Sequence, residues 1–192
     1  MASSTYVLLQ FGSDPFSHRF EDLESRPAFI VRTVRYLRRP PAHILDGQGS
    51  LQVEDKPNLL VEVARQAEWS QQHPDIMGPS KAFLYFGPYK TPGHLIYGNS
   101  EKIPMGDSIQ RKKESSTSRY FTARSGKELK WRLSPHKMEC IDGSTTIAIW
   151  ELSIPEDVFS ARLTIKHAGL SIVTEILTSL SLNRMAMALE WK

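Results

Sequence analysis

Cysteine is nearly missing from this chain. Cys140 is its one thiol, so no internal disulfide can form, and no Asn-x-Ser/Thr glycosylation acceptor occurs. Both absences point to a reducing compartment and a cytoplasmic protein. Long apolar runs are missing too. The most apolar stretch, Ala168 to Leu182, holds Glu175 and five Ser or Thr, too short and too polar for a transmembrane anchor. At the amino end, Tyr6 to Leu9 is broken by Gln10 and followed by Gly12, Ser13 and Asp14, which reads as a first strand and not as a signal peptide.

Signatures of chemistry are also absent. Six histidines are scattered, with no His-x-x-x-His pair and none spaced from Cys140 as zinc ligands are, so no metal is expected. Gly126-Lys127 lacks the upstream glycine of a phosphate loop, and no Gly-x-Ser-x-Gly elbow occurs. No cofactor is implied. Charge of one sign is scarce: the net charge of +3 is too small to point to nucleic acid, although it favours phosphates and anionic membrane surfaces.

What is present is the composition of a folded chain. At 40% hydrophobic and 23% charged, 192 residues can bury one substantial core, and one domain spanning 1–192 is the expectation. Short strand-like runs are separated by Gly, Pro, Asn and Asp: Tyr6 to Phe11, Ala28 to Val34, Leu59 to Ala64, Ala67 to Trp69, Ala82 to Phe86, His94 to Tyr97, Arg119 to Ala123, Leu129 to Leu133, Lys137 to Ile141, Thr145 to Leu152 and Ala161 to Ile165. Strict alternation in 127–133 puts Leu129, Trp131 and Leu133 on one face and Glu128, Lys130 and Arg132 on the other. In 145–150, Ile147 and Ile149 share one face and Thr146, Ala148 and Trp150 the other, so both faces carry apolar groups. Two long loops are expected near 39–57 and 98–118.

From Gly169 the period changes. Leu170, Val173, Leu177 and Leu180, widened by Ile172 and Ile176, follow helical spacing, and the other side carries Ser171, Thr174, Thr178 and Ser181. Such hydroxyls bond to their own helix carbonyls and bury at low cost. A helix apolar over most of its circumference belongs inside a structure.

The run Arg119 to Leu133, followed by Lys137 to Ile141 and Thr145 to Trp150, resembles a domain family of unknown function abundant in mushroom-forming fungi; Phe11 to Phe20 and Ala28 to Thr33 look like its first two strands. That family is similar in architecture to tubby-like, LURP-one-related and phospholipid-scramblase domains, in which about a dozen strands wrap a C-terminal helix. The resemblance implies a mainly β fold: a closed or nearly closed antiparallel barrel of about twelve strands around the apolar segment Leu170 to Leu182. A barrel of that size is too wide for its own side chains to fill, so a helix, or a ligand, must occupy it.

For function, the residues leave two classes open. The first is a non-enzymatic binding module for anionic, phosphoinositide-like lipid headgroups or a small hydrophobic molecule. Arg32, Arg35, Arg38 and Arg39 form one cationic group, Arg111, Lys112 and Lys113 a second, and Trp131 and Trp150 are candidate walls of an apolar cavity. The second is an enzyme of fungal secondary metabolism, an isomerase, cyclase or hydrolase, with His94, His136 or Asp142 as acid or base. Cys140 shares a strand face with Met138 and reads as core. Scramblase-like transport is disfavoured by Glu175, Asn183 and Arg184 in a short helix, and an interaction or defence protein acting through its loops leaves no mark in the sequence.

Overall fold

In the computed structural model, which describes residues 5–34 and 59–191, period-two alternation becomes one sheet of twelve antiparallel strands. They are β1 (Thr5–Phe11), β2 (His18–Glu21), β3 (Pro27–Val34), β4 (Leu59–Arg65), β5 (Lys81–Phe86), β6 (His94–Tyr97), β7 (Ile103–Pro104), β8 (Ser118–Thr122), β9 (Glu128–Leu133), β10 (Lys137–Asp142), β11 (Thr145–Leu152) and β12 (Ala161–Lys166). Strands β1 to β7 and β8 to β12 run as two meanders joined where β1 pairs with β12, Leu8 opposite Leu163.

The barrel is nearly closed. No ladder joins the edge strands β7 and β8; the gap is covered by a 3₁₀ turn, Met105–Ser108, whose Met105 is buried, and by one bridge in which the Tyr120 amide donates to the Gln110 carbonyl at 2.8 Å. Segment 98–118, expected as one loop, therefore supplies part of the wall. The expected loop 39–57 lies outside the described residues.

A short 3₁₀ segment, His167–Ile172, leads into the helix α2 (Val173–Ala188). The α-helix thus starts later than its spacing implies, and Ser171 stays exposed. From Val173 to Asn183 every residue is buried, so sheet surrounds the helix. Its partners confirm this: α2 packs on β4 and β5 on one side, and on the other Ser179 Oγ accepts the Trp131 indole N–H from β9 at 2.9 Å. Val173, Ile176, Leu177, Leu180, Leu182 and Met185 are fully buried, each contributing about 1.5–3 kcal/mol of apolar transfer. Of the four hydroxyls expected to bond to helix carbonyls, Thr178 does so, donating to the Thr174 carbonyl at 2.6 Å, whereas Thr174 donates out of the helix to the Pro79 carbonyl at 2.6 Å and Ser181 Oγ has no hydrogen-bond partner among the described residues; Asn183 donates to the Ser179 carbonyl at 2.8 Å.

Local expectations are corrected at three places. Ala67 to Trp69 is not a strand but the start of α1 (Ala67–Gln72), whose one buried residue, Trp69, donates its indole N–H to Asp22 Oδ2 at 3.1 Å. In β11, Cys140 faces Ala148 while Ile141 faces Thr146, so Ile147 is the extra residue of a β-bulge. The bulge shifts the alternation, and Ile147, Ala148 and Trp150 all end buried while Ile149 does not. Finally, Phe11 to Phe20, which the resemblance reads as a first strand, is the last residue of β1, a turn and most of β2.

Candidate binding site at the helix exit

Antiparallel topology sorts the turns between two ends. At the end where α2 emerges lie the β1–β2, β5–β6, β7–β8, β9–β10 and β11–β12 connections. Here the helix stops being apolar. Arg184, one turn after Leu180, sends Nη2 to the Ser13 carbonyl at 2.9 Å and Nη1 to Gln10 Oε1 at 3.3 Å, and its guanidinium lies over the Trp150 ring at 5.1 Å from the centroid. Nη1 also sits 3.4 Å from His18 Nε2.

The groups that touch it are neutral. Gln10 is completely buried; its Oε1 accepts the Trp150 indole N–H at 2.9 Å as well as Arg184, and its Nε2 donates to the Gly12 carbonyl at 2.6 Å. Burial, and then the Arg184 charge, push the His18 pKa down to about 3, so at neutral pH the ring is uncharged. With Nδ1 donating to the Asp14 carbonyl at 2.9 Å, Nε2 is left as an acceptor toward Arg184. Burial also lowers the Arg184 pKa to about 10, which leaves it cationic. Among the described residues no carboxylate comes within 4.0 Å of it. Dipoles make the direct hydrogen bonds of this largely buried cation, and the Asp14 charge adds a longer-range attraction that partly offsets burial.

It opens on a cleft of about 220 Å³ walled by Pro15, Pro135, Met138, Trp150 and Met187. An acidic head against Arg184 and an apolar body along Trp150 and the methionines fit this lining. Exposed apolar side chains collect at the same end. Of the seven large hydrophobic residues exposed among those described, Tyr89, Leu152, Ile154, Val158 and Met187 lie here, and only Leu23 and Met77 at the opposite end. Tyr89 is 95% exposed and sits in left-handed backbone, φ +55°.

Of the residues singled out by sequence, only Trp150 lines the cleft. Exposed His136 follows Pro135 in the adjoining β9–β10 turn. Asp142 is at the far end of β10, paired with Lys127 at 2.5 Å. His94, on β6, stacks on Tyr85 at 4.7 Å, its pKa lowered by burial and by Lys102. Trp131 is in the core. Arg32 lies on the outer sheet face, bound to Glu62, which also takes Lys81. Arg111, Lys112 and Lys113 are exposed beside β8, with Lys112 paired to Glu128 at 2.5 Å and set over the Tyr120 ring at 4.4 Å. Arg35, Arg38 and Arg39 lie outside the described residues. Burial pushes the Cys140 thiol up, in keeping with a core position.

Sequence reasoning missed Arg184, Gln10 and His18 as a group. The available signal was a charged residue in a helix that must be buried, because a buried guanidinium needs a partner or an opening.

No curated protein and no solved structure matches the chain. A family model does match, over residues 54–184, which includes β4 to β12 and α2 as far as Arg184. The match covers more than half of the sequence, and the chain belongs to the family of unknown function DUF6593.

Proposed function

We propose that this protein is a non-enzymatic binding module that takes the acidic headgroup of an amphiphile at the helix-exit end of the barrel. The carrying observation is Arg184: a largely buried guanidinium, without a carboxylate partner among the described residues, at an apolar cleft. The exposed Tyr89, Ile154 and Val158 around it suit the interfacial zone of a bilayer, where aromatic and aliphatic tips leave water. Glu156 and Asp157 share the hairpin with Ile154 and Val158, so recognition runs through one headgroup at Arg184 more than through bulk charge. The reading extends to a kinship with tubby-like and LURP-one-related domains, whose strands wrap a helix, and to a fungal, cytoplasmic setting. Among the described residues His94, His136 and Asp142 do not converge on one cleft, which leaves the enzyme alternative without a specific support.

The test is co-sedimentation with phosphatidylcholine vesicles, plain or doped with phosphatidic acid, alongside calorimetry with monomeric octyl phosphate. Binding to doped vesicles, lost by about tenfold or more in Arg184→Met, is expected, since a charge-assisted contact contributes about 1.5–3 kcal/mol. Binding of octyl phosphate without vesicle binding would make the ligand a small molecule. Equal binding to plain and doped vesicles, with no response to octyl phosphate, would refute the proposal.

A further inference from the structure

The cationic run 111–113 takes no part in the helix-exit cleft, and it is followed by four hydroxyl residues, Ser115, Ser116, Thr117 and Ser118. Arg111 through Ser115 are all exposed. A turn closed by the Ser116 amide donating to the Lys113 carbonyl at 3.0 Å sets Ser115 at its corner. Among the described residues the segment is further held by the Ser118 amide on Ser116 Oγ at 3.1 Å and by Lys112, half exposed, which pairs with Glu128 and lies over the Tyr120 ring. Extending it into another protein's active site therefore costs little local structure.

The loop also begins and ends on guanidinium groups. Arg119, buried at 4% exposure, gives Nη2 to the Trp191 carbonyl at 3.3 Å while its Nη1 has no hydrogen-bond partner among the described residues. Arg111 lies near enough that its charge, after burial, lowers the Arg119 pKa. Two like charges and an unused donor at the base of a hydroxyl-rich loop are unfavourable until an anion arrives.

We propose that Ser115 is a phosphorylation site, recognised by a protein kinase that selects cations two and three residues before the acceptor, here Lys113 and Lys112. The co-substrate is a nucleoside triphosphate. Ser115 Oγ attacks the γ-phosphorus, the bond from that phosphorus to the β-phosphate oxygen breaks, the nucleoside diphosphate leaves, and the kinase's catalytic base takes the hydroxyl proton. The phosphoryl group adds nearly two negative charges to a loop that carries Arg111, Lys112 and Lys113 and tightens it against β8.

The test uses the full chain, a basophilic Ser/Thr kinase and Mg-ATP, read by intact-mass and phosphopeptide spectrometry. One phosphate at Ser115 is expected, absent in Ser115→Ala and reduced at least about tenfold in the Lys112→Ala, Lys113→Ala double variant. The phosphoprotein should show slower amide exchange in 111–119 than the unmodified chain. No incorporation into the folded protein, incorporation at another residue, or incorporation indifferent to Lys112 and Lys113 would overturn the assignment.

Discussion

The Trp150 indole N–H donates to Gln10 Oε1 at 2.9 Å, joining β11 to β1 at the barrel's open end. That oxygen also accepts from Arg184, so one amide fixes both the aromatic wall and the cation of the cleft. Neither residue is exposed enough for water to replace the contact.

Gln10→Leu is therefore expected to destabilise the fold by about 1–3 kcal/mol, the cost of leaving buried donors unpaired. Urea unfolding measures this directly. An unchanged midpoint would mean that Trp150 and Arg184 find other acceptors.

His18 predicts an acid limb of the stability curve. Its folded pKa, about 3, is below the unfolded value of 6.5, so the unfolded chain binds the proton first. The stability it contributes is complete above about pH 6.5 and is lost as pH falls toward 3. Melting temperatures across that range should fall less steeply in His18→Gln than in the parent. Parallel curves would place the acid sensitivity elsewhere.

Glu175 acts with the opposite sign. Burial raises its pKa above 4.5, against the Arg124 amide that donates to Oε1 at 2.9 Å, so the folded state holds the proton longer. Stability falls as pH rises from about 4.5 through the folded pKa. Glu175→Gln, which keeps an acceptor for Arg124, should remove this loss and raise stability at neutral pH. A less stable variant at pH 7 would show that the carboxylate charge is needed inside the barrel.

Gly93 precedes His94 in the tight β5–β6 connection. A Cβ there would stand 2.0 Å from the Tyr85 carbonyl oxygen, and only backbone movement relieves that clash. Gly93→Ala should destabilise by about 1–3 kcal/mol, read by thermal unfolding. A neutral effect would require the turn to reshape freely.

Much of the fold was legible in the sequence, because burial on one side leaves a period. Leu129 and Trp131 lie inward and Glu128 and Arg132 outward as alternation implies, and the helix from Val173 is buried around its circumference. What could not be read depends on single long-range contacts. Trp69 is helical because Ala67–Gln72 seats it against Asp22, and nothing in a three-residue apolar run distinguishes that from a strand. The bulge at Ile147 is a matter of register with β10, invisible in β11 alone. Of the site, Trp150 was legible as a large apolar group; Gln10, His18 and Arg184 were not, since only the closed fold brings together residues 174 positions apart.

The most direct measurement is heteronuclear NMR of the Arg184 Nε–Hε and Trp150 Nε1–Hε1 signals during titration with octyl phosphate. Saturable shifts of both, abolished at the Trp150 signal by Arg184→Met, are the predicted result. Shifts confined to exposed lysines and to arginines other than Arg184, with these two signals unmoved, would contradict a headgroup site at the helix exit.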